Sequence, residues 1–269
     1  MKKRNKRNVT SRFLLMLGVG LFVASLSMLI PTLLDYQKSK DTYEDLKDKY
    51  VTVKEEQAQP QTQEEAQEIE GVVNDSWWYE EVDIQLYSLQ QENADIVGWI
   101  LFENNDMISY PVLYSGDNEK YIRTDIYGNS TTAGCIFMEG GCTPDFEDCH
   151  TILYGHNMKN LSMFGSLKKY KTEGYYDEHQ YFMIYTNDMA YRYRIFAFYD
   201  IPETDDVYQI GFAPDDTFGT FVNDMKRHSY EDTGVSVTKD DKVITLSTCS
   251  AEGYRFVVHG VRVDEYSYE

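Results

Sequence analysis

The sequence predicts a mainly β fold with added helices, an antiparallel sheet closing into a barrel behind one N-terminal membrane-spanning helix. Three observations carry that prediction. From Met107 onward the chain breaks into short runs rich in aromatic and β-branched residues, separated by turn residues. The runs stand too close together for regular crossover helices, which favours closure of an antiparallel sheet. Ahead of them lies a single 22-residue stretch without a charge, Phe13 to Leu34.

Residues 1–12, "MKKRNKRNVTSR", carry six basic side chains and no acid. They form a cytoplasmic basic segment, because positive flanks stay inside. Residues 13–34 follow as a transmembrane signal anchor. At about 1.5 Å per residue the helix spans roughly 33 Å, enough for a hydrocarbon core. A cleaved signal peptide has an apolar region of only about 7–15 residues, and here apolar residues continue past "ASLS" to Leu34. The expected location is the cell membrane, single-pass, with the N-terminus cytoplasmic and the rest outside. Residues 35–75 read as an acidic extracellular stalk, helical in part before Val51 and loose around Pro60. "KEEQAQPQTQEEAQEIE" has too little apolar surface to fold alone.

Residues 76–269 are the catalytic domain in this reading, with a net charge of −19 within a chain total of −20. That balance excludes nucleic acid as a partner, since phosphate neutralisation needs a basic patch. The domain opens with helical spacing, Val82, Leu86 and Leu89, inside a predicted helix over 80–93. The strand-like runs then follow in order: "MISYPVLY", "AGCIFME", "HTILYG", "QYFMIYT", "AYRYRIFAFYDI", "KVITLSTC" and "YRFVVHGVRV". A second helix interrupts them over 215–228, with Phe218, Phe221, Val222 and Met225 as a stripe for core contact with the barrel.

Four cysteines invite disulfides in an extracellular chain. A Cys142–Cys149 bridge around Pro144 is one possibility; unpaired Cys135, Cys142 and Cys149 in strand and loop is the plainer one. The spacing of these three with His150 matches no common tetrahedral metal site. Cys249 stands apart, at the end of a strand and before the turn Ser250–Gly253. A thiolate attacks carbonyls and needs a base or a positive neighbour. Arg255 opens the next strand beside it and donates to a developing oxyanion, or makes a strand-end salt bridge. Among five histidines, His179 and His228 lie in polar text, and His150 and His259 read as satisfied core residues. His156 ends a strand and opens a loop, where a catalytic histidine is delivered to a barrel mouth.

"TLSTC" before an arginine, with "YGHNM" upstream, resembles the sortase transpeptidases of Gram-positive bacteria. "YGHNMKNLSMFGSLKKY", "ADIVGWILF", "YPVLYSGDNEKYI" and "AGCIFME" are similar to the class B branch, over about Asp95 to Val263. The resemblance implies a closed β-barrel of about eight strands, N-terminal helices, and a helix between the sixth and seventh strands. It implies a cysteine transpeptidase that cleaves a C-terminal sorting signal of secreted proteins after a threonine, through a Cys249 thioacyl intermediate. His156 would carry protons and Arg255 would stabilise the oxyanion. The new carboxyl end joins an amine of a lipid-linked peptidoglycan precursor, serving wall anchoring, or of a pilin lysine; no metal or organic cofactor is needed. The same residues admit an alternative, a surface cysteine endopeptidase resolved by water. Ser247, Asn118 and Ile122 match substrate-groove positions of class B. Two departures stand out: the six-residue step from Cys249 to Arg255 is short for class B, and three further cysteines accompany the thiol.

Overall fold

In the computed structural model, residues 3–53, 77–80, 82–105, 107–250 and 252–268 are described. The part of the stalk around Pro60 lies outside them. Contacts divide the chain into two compact units, Met1–Thr42 and Tyr43–Glu269. Helix α1 (Lys3–Tyr50) is continuous and includes Pro31. Its apolar part is long and apolar enough to cross a membrane.

The second unit contains β1 (Val51–Val53), α2 (Trp77–Glu80), β2 (Val82–Ile84), α3 (Leu86–Gln90), β3 (Ile96–Phe102), β4 (Ser109–Leu113), β5 (Ile136–Met138) and β6 (His150–Tyr154). There follow a 3-10 helix (Gly165–Lys171), α4 (Tyr175–Glu178), β7 (Tyr181–Tyr185), β8 (Met189–Pro202), a 3-10 turn (Asp206–Tyr208), α5 (Asp216–His228), β9 (Val243–Cys249) and β10 (Tyr254–Ser267). Strands β3 to β10 close into an eight-stranded barrel in the order β10-β8-β7-β3-β4-β5-β6-β9.

Two pairings depart from the antiparallel expectation: β4 with β5 and β6 with β9 run parallel. Parallel neighbours need long connections. The first is the loop 114–135, and the second carries β7, β8 and α5. The helix expected over 80–93 is also corrected. Val82–Ile84 is a strand that pairs with Val51–Val53, and only Leu86–Gln90 of the apolar spacing is helical. The folded unit reaches back into the segment read as stalk, because Tyr43, Leu46 and Tyr50 are buried in it.

Helix α5 forms as its stripe predicts. Asp215 accepts hydrogen bonds from the Thr217 and Phe218 amides and so satisfies its first turn. Phe218, Val222 and Met225 pack with Val243, Val257 and Val261 of β9 and β10. With that layer outside and the barrel core inside, β9 is buried on both faces along its length, and only its last residue, Cys249, is exposed. A strand covered on both faces reads as a continuous run that ends where the cover ends.

Candidate active site

Cys249 and Arg255 are direct partners across the β9–β10 pair. Opposite residues on an antiparallel pair share a face, with Cβ atoms about 5 Å apart. The six-residue step is therefore a tight hairpin, closed by Ser250 N–H donating to Tyr254 O at 3.1 Å. Both carboxylates that brace the hairpin come from the end of β8. Glu203 Oε2 lies 3.0 Å from Arg255 Nη2, and Glu203 N–H donates to Gly253 O at 3.0 Å. Arg255 thus makes the salt bridge considered above while it faces the thiol. Asp200 accepts from Ser250 Oγ and from Lys171 Nζ. Burial pushes the Asp200 carboxyl up, but the bonds from Lys171, Ser250 and Tyr230 outweigh it and hold the carboxyl below the usual range.

The four cysteines are free, so the Cys142–Cys149 bridge is not formed. Cys135, Cys142 and Cys149 are buried, and Cys249 is exposed. Burial pushes the Cys135 thiol up to about 12 and the Cys142 thiol up to about 11, which makes both poor nucleophiles.

His156 lies two residues beyond β6, half-buried, with Nε2 2.7 Å from Ile122 O. A carbonyl only accepts, so Nε2 carries the proton and Nδ1 of the neutral ring is left as the acceptor. Burial holds the imidazole below 6.5, and the Arg123 and Arg255 charges add to it; the bond to Ile122 opposes them. The backbone of residue 134 packs against that same Ile122 carbonyl, which a glycine allows. At φ +58°, a Cβ there would lie 2.5 Å from that carbonyl. The next residue, Asn157, donates from Nδ2 to Cys249 O at 2.7 Å. The loop after β6 thereby grips the end of β9.

One cleft of about 260 Å³ is lined by Cys249, His156, Arg255, Ser247, Asn118 and Ile122, so all six residues selected from the sequence meet. Phe137, Tyr154, Gly155 and Thr248 complete it. Asn118 is a wall rather than a free amide: Nδ2 donates to Glu139 Oε1 at 2.6 Å and Oδ1 accepts from Gly140 N–H at 2.7 Å. Glu139 also accepts from Tyr154 Oη at 2.7 Å. Ser247 is nearly sealed and its Oγ lies 2.9 Å from Tyr208 Oη. Sequence reading missed Tyr154, Tyr208, Glu203 and Asn157; of these Tyr154 and Asn157 sat inside the quoted motif "YGHNM". Among the described residues no cluster of His, Cys, Asp and Glu could hold a metal ion.

Comparison with known proteins places this barrel. The sortase domain family matches residues 106–263. Sortase B of Listeria monocytogenes is 37% identical over 174 residues, covering 64% of this chain and 70% of that protein. Sortase B of Staphylococcus aureus is 32% identical over 170 residues, covering 63% and 69%. Among solved structures, sortase B from Bacillus anthracis superposes with a TM-score of 0.70 at 29% identity, over 86% of this chain and 99% of that one. A Staphylococcus aureus sortase B–substrate complex gives 0.69 at 26%, over 86% and 99%. This closed eight-stranded barrel agrees with those relatives in sequence and in shape, and the chain belongs to the sortase family of cysteine transpeptidases, on its class B branch.

Proposed function

We propose that Cys249 is the nucleophile of this transpeptidase, with His156 as proton carrier and Arg255 as oxyanion donor. The observation that carries the reading is the convergence of thiol, imidazole and guanidinium on one cleft, with Cys249 and Arg255 in register. Cys249 Sγ attacks the carbonyl carbon after a threonine in a sorting signal, and the thiol proton passes to His156 Nδ1. Arg255 donates to the tetrahedral oxyanion. Collapse breaks the C–N bond, His156 returns the proton to the departing amine, and a thioester remains. An incoming amine attacks that thioester, gives its proton to His156, and leaves as an amide while Cys249 recovers its thiol. The amine belongs to a lipid-linked peptidoglycan precursor or a pilin lysine. Ser247, Asn118 and Ile122 line the groove for the peptide.

In this reading residues 1–12 stay cytoplasmic, 13–34 anchor the chain in the membrane, and the remainder works outside. The length and apolar character of α1 support it. The test incubates a fragment beginning at Asp35, and its Cys249→Ala variant, with a library of sorting peptides, with and without oligoglycine or a lysine peptide. Mass spectrometry should find an amide-linked product that vanishes in the variant. Cleavage that never yields an amine adduct would overturn the acceptor assignment.

A further inference from the structure

Two histidines and a threonine that this reaction does not use lie sealed behind the groove. His150, Thr245 and His259 are fully buried. His150 Nδ1 lies 2.7 Å from Gln209 O, and its Nε2 lies 2.6 Å from Thr245 Oγ1. Thr245 Oγ1 is in turn 2.8 Å from His259 Nδ1. The protons follow by elimination. Gln209 O only accepts, so His150 Nδ1 donates and its Nε2 accepts from the threonine hydroxyl. That hydroxyl oxygen then accepts from His259 Nδ1–H. Burial keeps both rings neutral, lowering His150 to about 4 and His259 well below 6.5.

The strands put this chain of bonds in line with the site. Thr245, Ser247 and Cys249 alternate on one face of β9, opposite His259, Val257 and Arg255 of β10. Its outer end is the carbonyl of Gln209, next to Tyr208. Three consecutive residues of the loop 205–212 are thereby fixed. Tyr208 Oη contacts Ser247 at 2.9 Å, and Gln209 is held by His150. Ile210 Cδ1 fills the space a Cβ on Gly141 would need, 2.5 Å away. The Tyr208 ring also lies 6.2 Å from that of Tyr154, which lines the cleft with Ser247. An apolar layer alone would serve α5 equally well, whereas the directed bonds from Gln209 O through His150 and Thr245 to His259 fix one geometry, with His259 Nε2 left unpaired among the described residues at the inner end.

We propose that His150 is a positioning residue for the peptide groove, holding Tyr208 over Ser247 through Gln209, with Thr245 and His259 as its backing. This rests on the groove assignment made under Proposed function. The test uses the full-length protein in detergent and compares His150→Leu, His150→Asn, Tyr208→Phe and the His150→Leu/Tyr208→Phe double variant. His150→Leu should raise KM for a sorting peptide about fivefold to tenfold with kcat within about twofold, and speed hydrogen exchange in 205–212 above that of the barrel strands. His150→Asn keeps a donor toward Gln209 O and should recover most of the KM. In the Tyr208→Phe background His150→Leu should add little, as expected for residues acting through one contact. Equal KM rises in both backgrounds, or faster exchange throughout the barrel with KM unchanged, would overturn the proposal. If His150→Leu does not fold, His150→Met, which also removes the donor toward Gln209 O, takes its place in the cycle. Should the wild type turn over no peptide, the transpeptidase assignment fails by itself, and the exchange comparison still decides whether His150 fixes the loop.

Discussion

At Arg255 two anions share one guanidinium: the carboxylate of Glu203 now, and in the proposed reaction the oxyanion on the carbonyl that Cys249 attacks. The pair with Glu203 is half-exposed, so its contribution to stability is under about 1 kcal/mol. Its effect is geometric, because the Glu203 backbone is tied to the hairpin. Arg255→Lys keeps the charge and loses the planar fork; kcat should fall about a hundredfold with the melting temperature unchanged, read by steady-state turnover and thermal unfolding. The His156 imidazole sits below 6.5 because burial and the Arg123 and Arg255 charges disfavour its protonated form. If neutral Nδ1 must accept the Cys249 proton, kcat/KM holds as pH falls through 6.5 and declines only below it. Arg255→Gln should move that acid limb upward, since a positive neighbour is removed. An acid limb above pH 6.5 in the wild type would contradict this assignment. Cys249, His156 and Arg255 were legible because each sits where a strand meets a turn. Tyr208, Glu203 and the Ile122 carbonyl were not, since their roles come from loop placement and backbone contact, which residue type does not encode.

Individual elements differ in how far their own text determines them. Helix α5 was legible because its cap and its stripe are local: Asp215, Phe218, Val222 and Met225 lie within eleven residues. Strand β2 was not. Val82, Leu86 and Leu89 share helical spacing, but Val82 is taken by a partner about thirty residues upstream, in Val51–Val53. Strand β6 shows what a buried element costs in acid. His150 has Gln209 O and Thr245 as hydrogen-bond partners, with His259 beyond Thr245; burial outweighs the bond to Gln209 and the charge of Asp148. Its folded value is about 4, against 6.5 when exposed. Below pH 6.5 the unfolded chain therefore takes up a proton that the folded chain refuses until about pH 4. Stability is flat above 6.5 on this account and falls by about 3 kcal/mol as the pH drops to 4. His259 shifts in the same direction. Urea unfolding at pH 7, 6 and 5 should show that loss, and His150→Asn should reduce it, leaving the share of His259. An unchanged slope in the variant would locate the acid sensitivity elsewhere.

Over the whole molecule, composition and fold disagree about where the folded unit begins. The tryptophans and most of the tyrosines lie beyond residue 75, yet the compact unit starts at Tyr43. Tyr43, Leu46 and Tyr50 are no more than 6% exposed. The Tyr43 ring meets Tyr110 edge-on at 5.3 Å, and Tyr50 Oη donates to Glu92 at 2.8 Å. Burying three such side chains is worth roughly 4–9 kcal/mol, less whatever a compact unfolded chain already buries. A start at Ser76 also strips β2 of Val51–Val53, its strand partner among the described residues. The C-terminal part of α1 is connected to the site as well. Tyr43 Oη donates to Gly134 O at 2.6 Å, Gly134 packs against the Ile122 carbonyl, and that carbonyl orients His156. A fragment beginning at Ser76 should therefore melt at least about 10 °C below one beginning at Asp35, and should turn over peptide more slowly even well below its melting point. Tyr43→Phe in the longer fragment separates the two effects, because the ring packing stays and the bond to Gly134 goes. It should retain most of the stability and show part of the loss in kcat. If both fragments melt together and share one kcat, the end of α1 is a stalk after all, and the barrel sets His156 without it.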